Sequence, residues 1–441
     1  MGTAVYLFTH DLRLDDNPAL YRASGFEQLV CAFAIDARWF QPSRYQTAPM
    51  GAHRWQFLQE ALDDLDHRLE ERGQHLHRLY GHPVNELGEL VNRFRASTLI
   101  VSRQFGVYEK RMLADLKTVN PGLEVIEVDN HTLFEKGQGE WLTETLPKQF
   151  TPFRKMAERQ PISTPLSVPV SLPPSPLYSV PRPVLPLWLP KQERLQSPFQ
   201  GGESAAQTHL AEYFSSTAPS HYKQTRNALE GWEASSKFSP WLNAGCLSPG
   251  RVCKTLADYE QREGANDSTY WLLFELLWRE YFLWSALRNG KQLFRFQGRA
   301  KTAPLTSFYP ERFQAWCAGN TTSPLVNACM KELQATGYIT NRARQIAASY
   351  LINELSIDWR YGAAWFEHWL VDYSVAVNWG NWQYIAGVGA DPRGGRHFNI
   401  EKQRQQYDPE NTYTRKWTTR DVPDCIDTQD PTGWPLGYDG H

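Results

Sequence analysis

Over residues 3–130, short apolar runs alternate with amphipathic stretches. AVYLF (4–8), LVCAFAI (29–35), HLHRLY (75–80), TLIVS (98–102) and LEVIEV (123–128) read as strands, and 51–72, 84–95 and 108–119 carry apolar residues at helical spacing. Strand and helix alternating at this pitch predict a parallel, doubly wound sheet with helices on both faces. The polar turn after the first run, THDLRLDDNPAL (9–20), offers Asp16 or Asn17 as a helix N-cap ahead of Pro18. No GxGxxG follows the first strand, so the usual dinucleotide fingerprint is missing.

The pattern then breaks. Residues 131–200 include SVPVSLPPSPLYSVPRPVLPLWLP, too rich in proline for helix or central strand. Its Leu, Val and Trp content is high for a flexible linker, so we expect an extended connector docked over the domains it joins. From 201 to about 420 the spacing is helical, and 421–441 is an acidic tail. The expected architecture is an α/β domain (1–130), an interdomain connector (131–200), an all-α domain (201–420) and the tail.

At 441 residues the chain is long enough for two or three domains, each with its own core. A formal net charge of −2 gives no general attraction to polyanions, so a nucleic-acid site must be a local basic patch. Six scattered cysteines show no metal-type spacing, which predicts a reducing compartment without disulfides or a bound metal. There is no leader-like or membrane-spanning run, and a cytoplasmic monomer is expected.

Seventeen tryptophans change the picture more, because five of them fall within 341–389. A helix over 343–355 would put Asn341 and Arg344 on one face. A second helix, 363–373, would end in the acid Asp372. Asn378 and Trp382 are four apart, and Gly380 and Gly387 allow close approach of something bulky. One surface then offers an arginine, an acid, an amide and an indole, a set suited to a planar, polar-edged, redox-active ring. Each tryptophan alone reads equally as core packing.

Three further stretches carry chemistry. Ser235-Ser236-Lys237-Phe238-Ser239 presents hydroxyls, amides and a cation before Pro240, where a helix can begin; this is an anion site or an ordinary cap. In STYWLLFELLWREYF (268–282), Glu275, Trp278 and Arg279 share one face of an apolar helix, and Glu275 either pairs with Arg279 or is used. A carboxyl in such a cleft has a raised pKa and suits a proton donor. Between 281 and 310, Arg288, Lys291, Arg295, Arg299 and Lys301 lie among aromatics without an acid, as a single-stranded backbone with stackable bases would require.

DYSVAVNWGNWQYIAGVGADPR (372–393) resembles the flavin-binding segment of the photolyase/cryptochrome family, most closely its DASH-type cryptochromes. The resemblance runs from about 3 to 417 and includes the opening signature at 9–20, the flavin-diphosphate loop through LSPG (247–250) and the 268–282 helix. It implies FAD bound in the helical domain. Tyr222, Ser235, Ser236, Lys237, Phe238, Ser239, Trp271, Glu275, Arg279, Asn341, Arg344, Asp372, Tyr373, Ser374 and Asn378 would form the cofactor site. Arg344 would pair with Asp372 beside the ring, and Asn378 would face its central nitrogen. Glu275 and Trp278 would act on a pyrimidine dimer, while Arg226, Arg342, Trp278, Gln345 and Tyr384 would contact DNA. Glu109, in QFGVYEK (104–110), would help hold a 5,10-methenyltetrahydrofolate antenna; its own reading is a charge near a helix start. Trp382 and Trp359 match the two inner members of a photoreducing tryptophan chain, and Thr306 stands at the outer position, with Tyr309 or Trp316 as substitutes.

The match departs from the family at Ser374, where an acid is expected, and at Asn327 in TTSPLVNA (321–328). Gln345 and Tyr384 replace the methionine and tryptophan of duplex-repairing enzymes. A more polar pocket offsets less of the cost of flipping a base out of a duplex, so the expected partner is single-stranded DNA, or RNA. The implied function is light-driven repair of cyclobutane pyrimidine dimers. The competing readings are a blue-light receptor that binds nucleic acid without turnover, and a helical ligand-binding protein without flavin.

Overall fold

In a computed structural model of the chain, residues 2–134, 145–176, 195, 197–390, 394–418 and 422–427 are described. The N-terminal domain is a five-stranded sheet of β1 (Thr3–Phe8), β2 (Gln28–Asp36), β3 (Leu76–Gly81), β4 (Thr98–Ser102) and β5 (Glu124–Val128), in the order β3-β2-β1-β4-β5. Every neighbouring pair is parallel, with Tyr6 opposite Cys31 on one side and Ile100 on the other. Between the strands run α1 (Pro18–Ala23), α2 (Ala52–Glu70), α3 (Pro83–Phe94) and α4 (Val107–Val119). Alternate residues of β1 serve opposite faces: Val5 and Leu7 pack with α3 and α4, while Ala4, Tyr6 and Phe8 join the core that extends into the helical domain. Both faces are covered, which is why the central strand reads as a continuous apolar run.

Asn17 is the cap of α1, its side chain accepting from Leu20 N at 2.9 Å. The same turn also joins the two domains. Arg13, 2% exposed, donates to Asp15 O, Asp16 O, Asn130 O and, across the interface, Gly245 O at 3.0 Å. Gly245 has φ +75° and lies so close to His10 O that a Cβ there would meet it at 1.8 Å. Glu203 reaches back the other way and accepts from Leu14 N and Asp15 N.

The 131–200 connector is not wholly extended. It contains α5 (Phe150–Ala157), which forms because Pro152 falls in the first turn, where its missing N–H costs nothing. Residues 161–176 run extended along the α/β domain, with Leu29 N donating to Pro174 O and Asp16 N to Leu166 O. Most of the proline-rich stretch, 177–194, lies outside the described residues, as does 428–441 of the tail.

The helical domain comprises α6 (Glu203–Ser215), α7 (Ala218–Thr225), α8 (Ser239–Ala244), α9 (Pro249–Glu263), α10 (Asp267–Asn289), α11 (Pro310–Ala318), α12 (Pro324–Thr336), α13 (Asn341–Asn353), α14 (Trp359–Trp369), α15 (Val375–Ile385), α16 (Ile400–Tyr407) and α17 (Thr412–Trp417). The expected 363–373 helix is displaced: α14 begins at Trp359 behind the Asp358 cap, and Asp372 lies beyond its end in a turn. No helix among the described residues is long and apolar enough to cross a membrane.

Candidate functional site

Helices α10, α13 and α15, with the turn after α14, enclose a cleft of about 380 Å³ lined by Glu275, Trp278 and Arg279, by Asn341, Arg342, Arg344 and Gln345, and by Asp372, Tyr373, Ser374, Asn378, Trp382 and Tyr384. The Ser235–Ser239 loop and Tyr222 line a second lobe of about 210 Å³ that shares Arg226, Ser239, Glu275, Arg279 and Asn341 with the first. A two-lobed cavity of this size fits a dinucleotide.

Asp372 is the fixed point of the inner wall. Arg344 Nη2 reaches its Oδ2 at 2.8 Å, Ser239 Oγ donates to the same oxygen at 2.6 Å, and Asn243 Nδ2 donates to its backbone carbonyl at 2.5 Å. Its Oδ1 is buried with no protein partner, an acceptor left over for a ligand N–H or O–H. Asn378 is 8% exposed, and its Nδ2 donates to Ala363 O at 2.9 Å. In the second lobe Lys237 holds φ +53° and sets its ammonium 5.2 Å from the centre of the Tyr338 ring. Burial lowers its pKa to about 8, Glu332 opposing.

Glu275 does not pair with Arg279. Arg226 Nη1 holds it at 2.5 Å, whereas Arg279 turns inward to His131 O at 2.6 Å and Leu242 O at 3.2 Å. Helical spacing puts Arg279 on the right face, but the backbone carbonyls it meets there claim it first. Burial raises the Glu275 pKa against the pull of Arg226. Trp278 has one face covered by Phe150 from α5, stacked at 3.7 Å and 11°, and meets Tyr384 edge-on at 5.7 Å.

Three expected residues stand apart. Trp271 lines neither lobe; it lies under the Arg226 guanidinium at 5.3 Å and so backs the Glu275 pair. Trp359 lines neither lobe; it is fully buried and donates to Phe296 O. Glu109 folds back over the start of α4, close enough to Gly106 that a Cβ there would meet its Oε2. It faces a separate cavity of about 30 Å³. Gly380 and Gly387 admit protein rather than ligand: a Cβ on Gly380 would meet Phe282 at 2.4 Å, and on Gly387 the Gly394 carbonyl at 2.3 Å. Arg288, Arg295 and Arg299 line a distinct surface groove with Lys148.

The sequence reading missed Asn243, Tyr338 and Phe150. Asn243 sits inside the quoted 220–250 string, but only the fold carries its amide to Asp372, 129 residues away.

Residues 4–173 match the family described as DNA photolyase, and 271–425 match the FAD binding domain of DNA photolyase. Curated relatives include the cryptochrome DASH of Idiomarina loihiensis, 46% identical over 98% of this chain and 96% of that one, and that of Vibrio parahaemolyticus, 44% identical over 98% and 97%. Among solved structures, a cryptochrome of Synechocystis superimposes with a TM-score of 0.88 at 38% identity, covering 95% of this chain and 88% of that one. A class III photolyase of Agrobacterium tumefaciens follows with 0.81 at 27%, covering 95% and 86%. The chain belongs to the photolyase/cryptochrome family, within its DASH cryptochromes.

Proposed function

We propose that this protein repairs cyclobutane pyrimidine dimers in single-stranded DNA under blue light, as a deoxyribodipyrimidine photo-lyase. The observation that carries the reading is one cleft with two chemistries: Asp372, Arg344 and Asn378 on its inner wall, and Glu275, Trp278, Gln345 and Tyr384 toward its mouth. FAD bound there supplies light absorption and one-electron transfer. The chain's own residues do the rest. Asp372 accepts from the cofactor edge through its free Oδ1, with Arg344 balancing its charge. The Ser235–Ser239 loop and Lys237 cradle the diphosphate. Trp278, backed by Phe150, presents an aromatic surface to a base, and Glu275, its pKa raised by burial, stands in the same cleft as the proton donor to it. Arg226 and Arg342 take the strand's phosphates.

Gln345 and Tyr384 make the mouth polar, which favours bases that need no extraction from a duplex. RNA of the same single-stranded form is a second partner. For the folate antenna the fit fails in this arrangement: the cavity at Glu109, about 30 Å³, has room for a water but not for a pterin, and we assign an antenna no step.

The test is blue-light repair of a dimer-containing oligonucleotide, offered single-stranded and as a duplex, by the FAD-loaded protein. Dimer loss confined to the single strand is expected; equal loss on both would sink the substrate assignment. The receptor reading draws on the closed Glu275–Arg226 pair, which occupies the carboxylate the lesion needs. Strand binding without dimer loss would select it.

A further inference from the structure

An oxidising equivalent drawn from Trp382 and Trp359 has to end on a residue that keeps it, and Thr306 has no oxidisable ring. The two other aromatic residues near that position do not serve. Trp316 meets Trp382 at 6.3 Å but is fully buried, and its other ring neighbours are Phe313 and Phe366, which are far harder to oxidise. Tyr309 is 42% exposed, has no ring partner among the described residues, and carries the Arg312 guanidinium 4.6 Å from its ring centre, where a cation opposes further positive charge.

Among the described residues Trp359 has one aromatic neighbour, Trp379, edge-on at 5.8 Å and 77°. Trp382 lies one turn along the same helix, its ring against Gly362, so closely that a Cβ there would meet it at 2.2 Å. Trp379 is 4% exposed, and its Nε1 donates to Tyr373 Oη at 3.3 Å. The Glu367 carboxyl lies close to both the Tyr373 hydroxyl and the Trp379 indole. Arg54 lies over the Tyr373 ring at 4.3 Å and also faces Glu367, and Glu109 approaches from the α/β domain.

We propose that Trp379 is the terminal electron donor of this chain and that Glu367 takes up its indole proton by way of the Tyr373 hydroxyl. The proposal rests on the flavin reading above, in which photo-excited FAD is the oxidant. An electron passes from the Trp379 indole to oxidised Trp359, restoring it. The oxidised Trp379 is a far stronger acid than neutral indole; its N–H proton passes to Tyr373 Oη, the oxygen that accepts it, as the Tyr373 O–H proton passes to the Glu367 carboxylate, and a neutral indolyl radical remains. One electron has moved inward and one proton outward, so charge recombination now requires the proton to return. Burial lifts the Glu367 carboxyl to about 7, with Arg54, Tyr373 and Trp379 drawing it down, so the base form is present at neutral pH.

The experiment is a blue flash on the FAD-loaded full-length protein, followed by transient absorption and light-minus-dark infrared spectroscopy. The wild type is expected to give a long-lived neutral indolyl radical together with a new protonated-carboxyl band. Trp379→Phe should lose both while keeping the flavin spectrum, and Trp379→Tyr should give a tyrosyl radical instead. Glu367→Gln should form the protonated indole cation, which decays faster, without the carboxyl band. A neutral indolyl radical undiminished in Trp379→Phe overturns the proposal and leaves the flavin reading intact. No flash-induced radical in the wild type overturns both.

Discussion

Glu275 shows how one side chain's surroundings set its use. Its helical face suggests Arg279 as a partner, but the fold brings Arg226 from 49 residues away, because Arg279 is spent on backbone carbonyls at the domain interface. Burial raises its pKa, so it keeps its proton to higher pH than an ordinary carboxyl. With the protonated form as the working one, repair falls as pH rises through that pKa. Glu275→Gln carries a permanent N–H donor and should flatten the profile of repair against pH, whereas Glu275→Ala should abolish repair and spare flavin binding. A Gln variant that tracks the wild-type profile would assign the titration to another group. Asp372→Ala removes both the free acceptor and the partner of Arg344. It should weaken FAD binding by about 2 kcal/mol, roughly 30-fold, read by titrating FAD into apoprotein.

At the scale of elements, the α/β half was readable because its strands are short, apolar and punctuated, and each range falls within a residue or two of what the structure shows. The α14 boundary was not. Trp359, Ala363, Ala364 and Phe366 are all buried, so apolar periodicity marks no beginning, and the Asp358 cap is the signal that places it. Helix α15 was given no bounds, only the four-residue spacing of Asn378 and Trp382, and its glycine was read as room for a ligand when it is room for Phe282. What spacing cannot supply is which element arrives opposite, and that is how Phe150 behind Trp278 went unseen. The close contact between α14 and α15 makes its own prediction. Gly362→Ala drives a methyl into the Trp382 ring and should cost about 1–3 kcal/mol in thermal or denaturant unfolding. It should also shift the Trp382 ring and lower the yield of flash-induced radicals.

Across the whole molecule, the α/β domain supports a cavity it barely touches. Arg13 ties the end of β1 to Gly245, the residue that closes α8. The same short helix carries Ser239 and Asn243, which hold Asp372 by its carboxylate and its carbonyl. A chain of short polar contacts therefore runs from the sheet to the acid beside the flavin site. Arg13→Lys keeps the charge but cannot span carbonyls on three segments at once, so buried acceptors lose their donors. We expect a loss on the order of 3 kcal/mol in stability, seen as a lower Tm. We expect weaker FAD binding as well, although Arg13 lines neither lobe. Repair per bound flavin should stay unchanged, since Glu275 and Trp278 stand on α10, outside this chain of contacts. A variant with lowered Tm and unaltered FAD affinity would show that α8 holds Asp372 unaided, and that the domain interface contributes to stability alone.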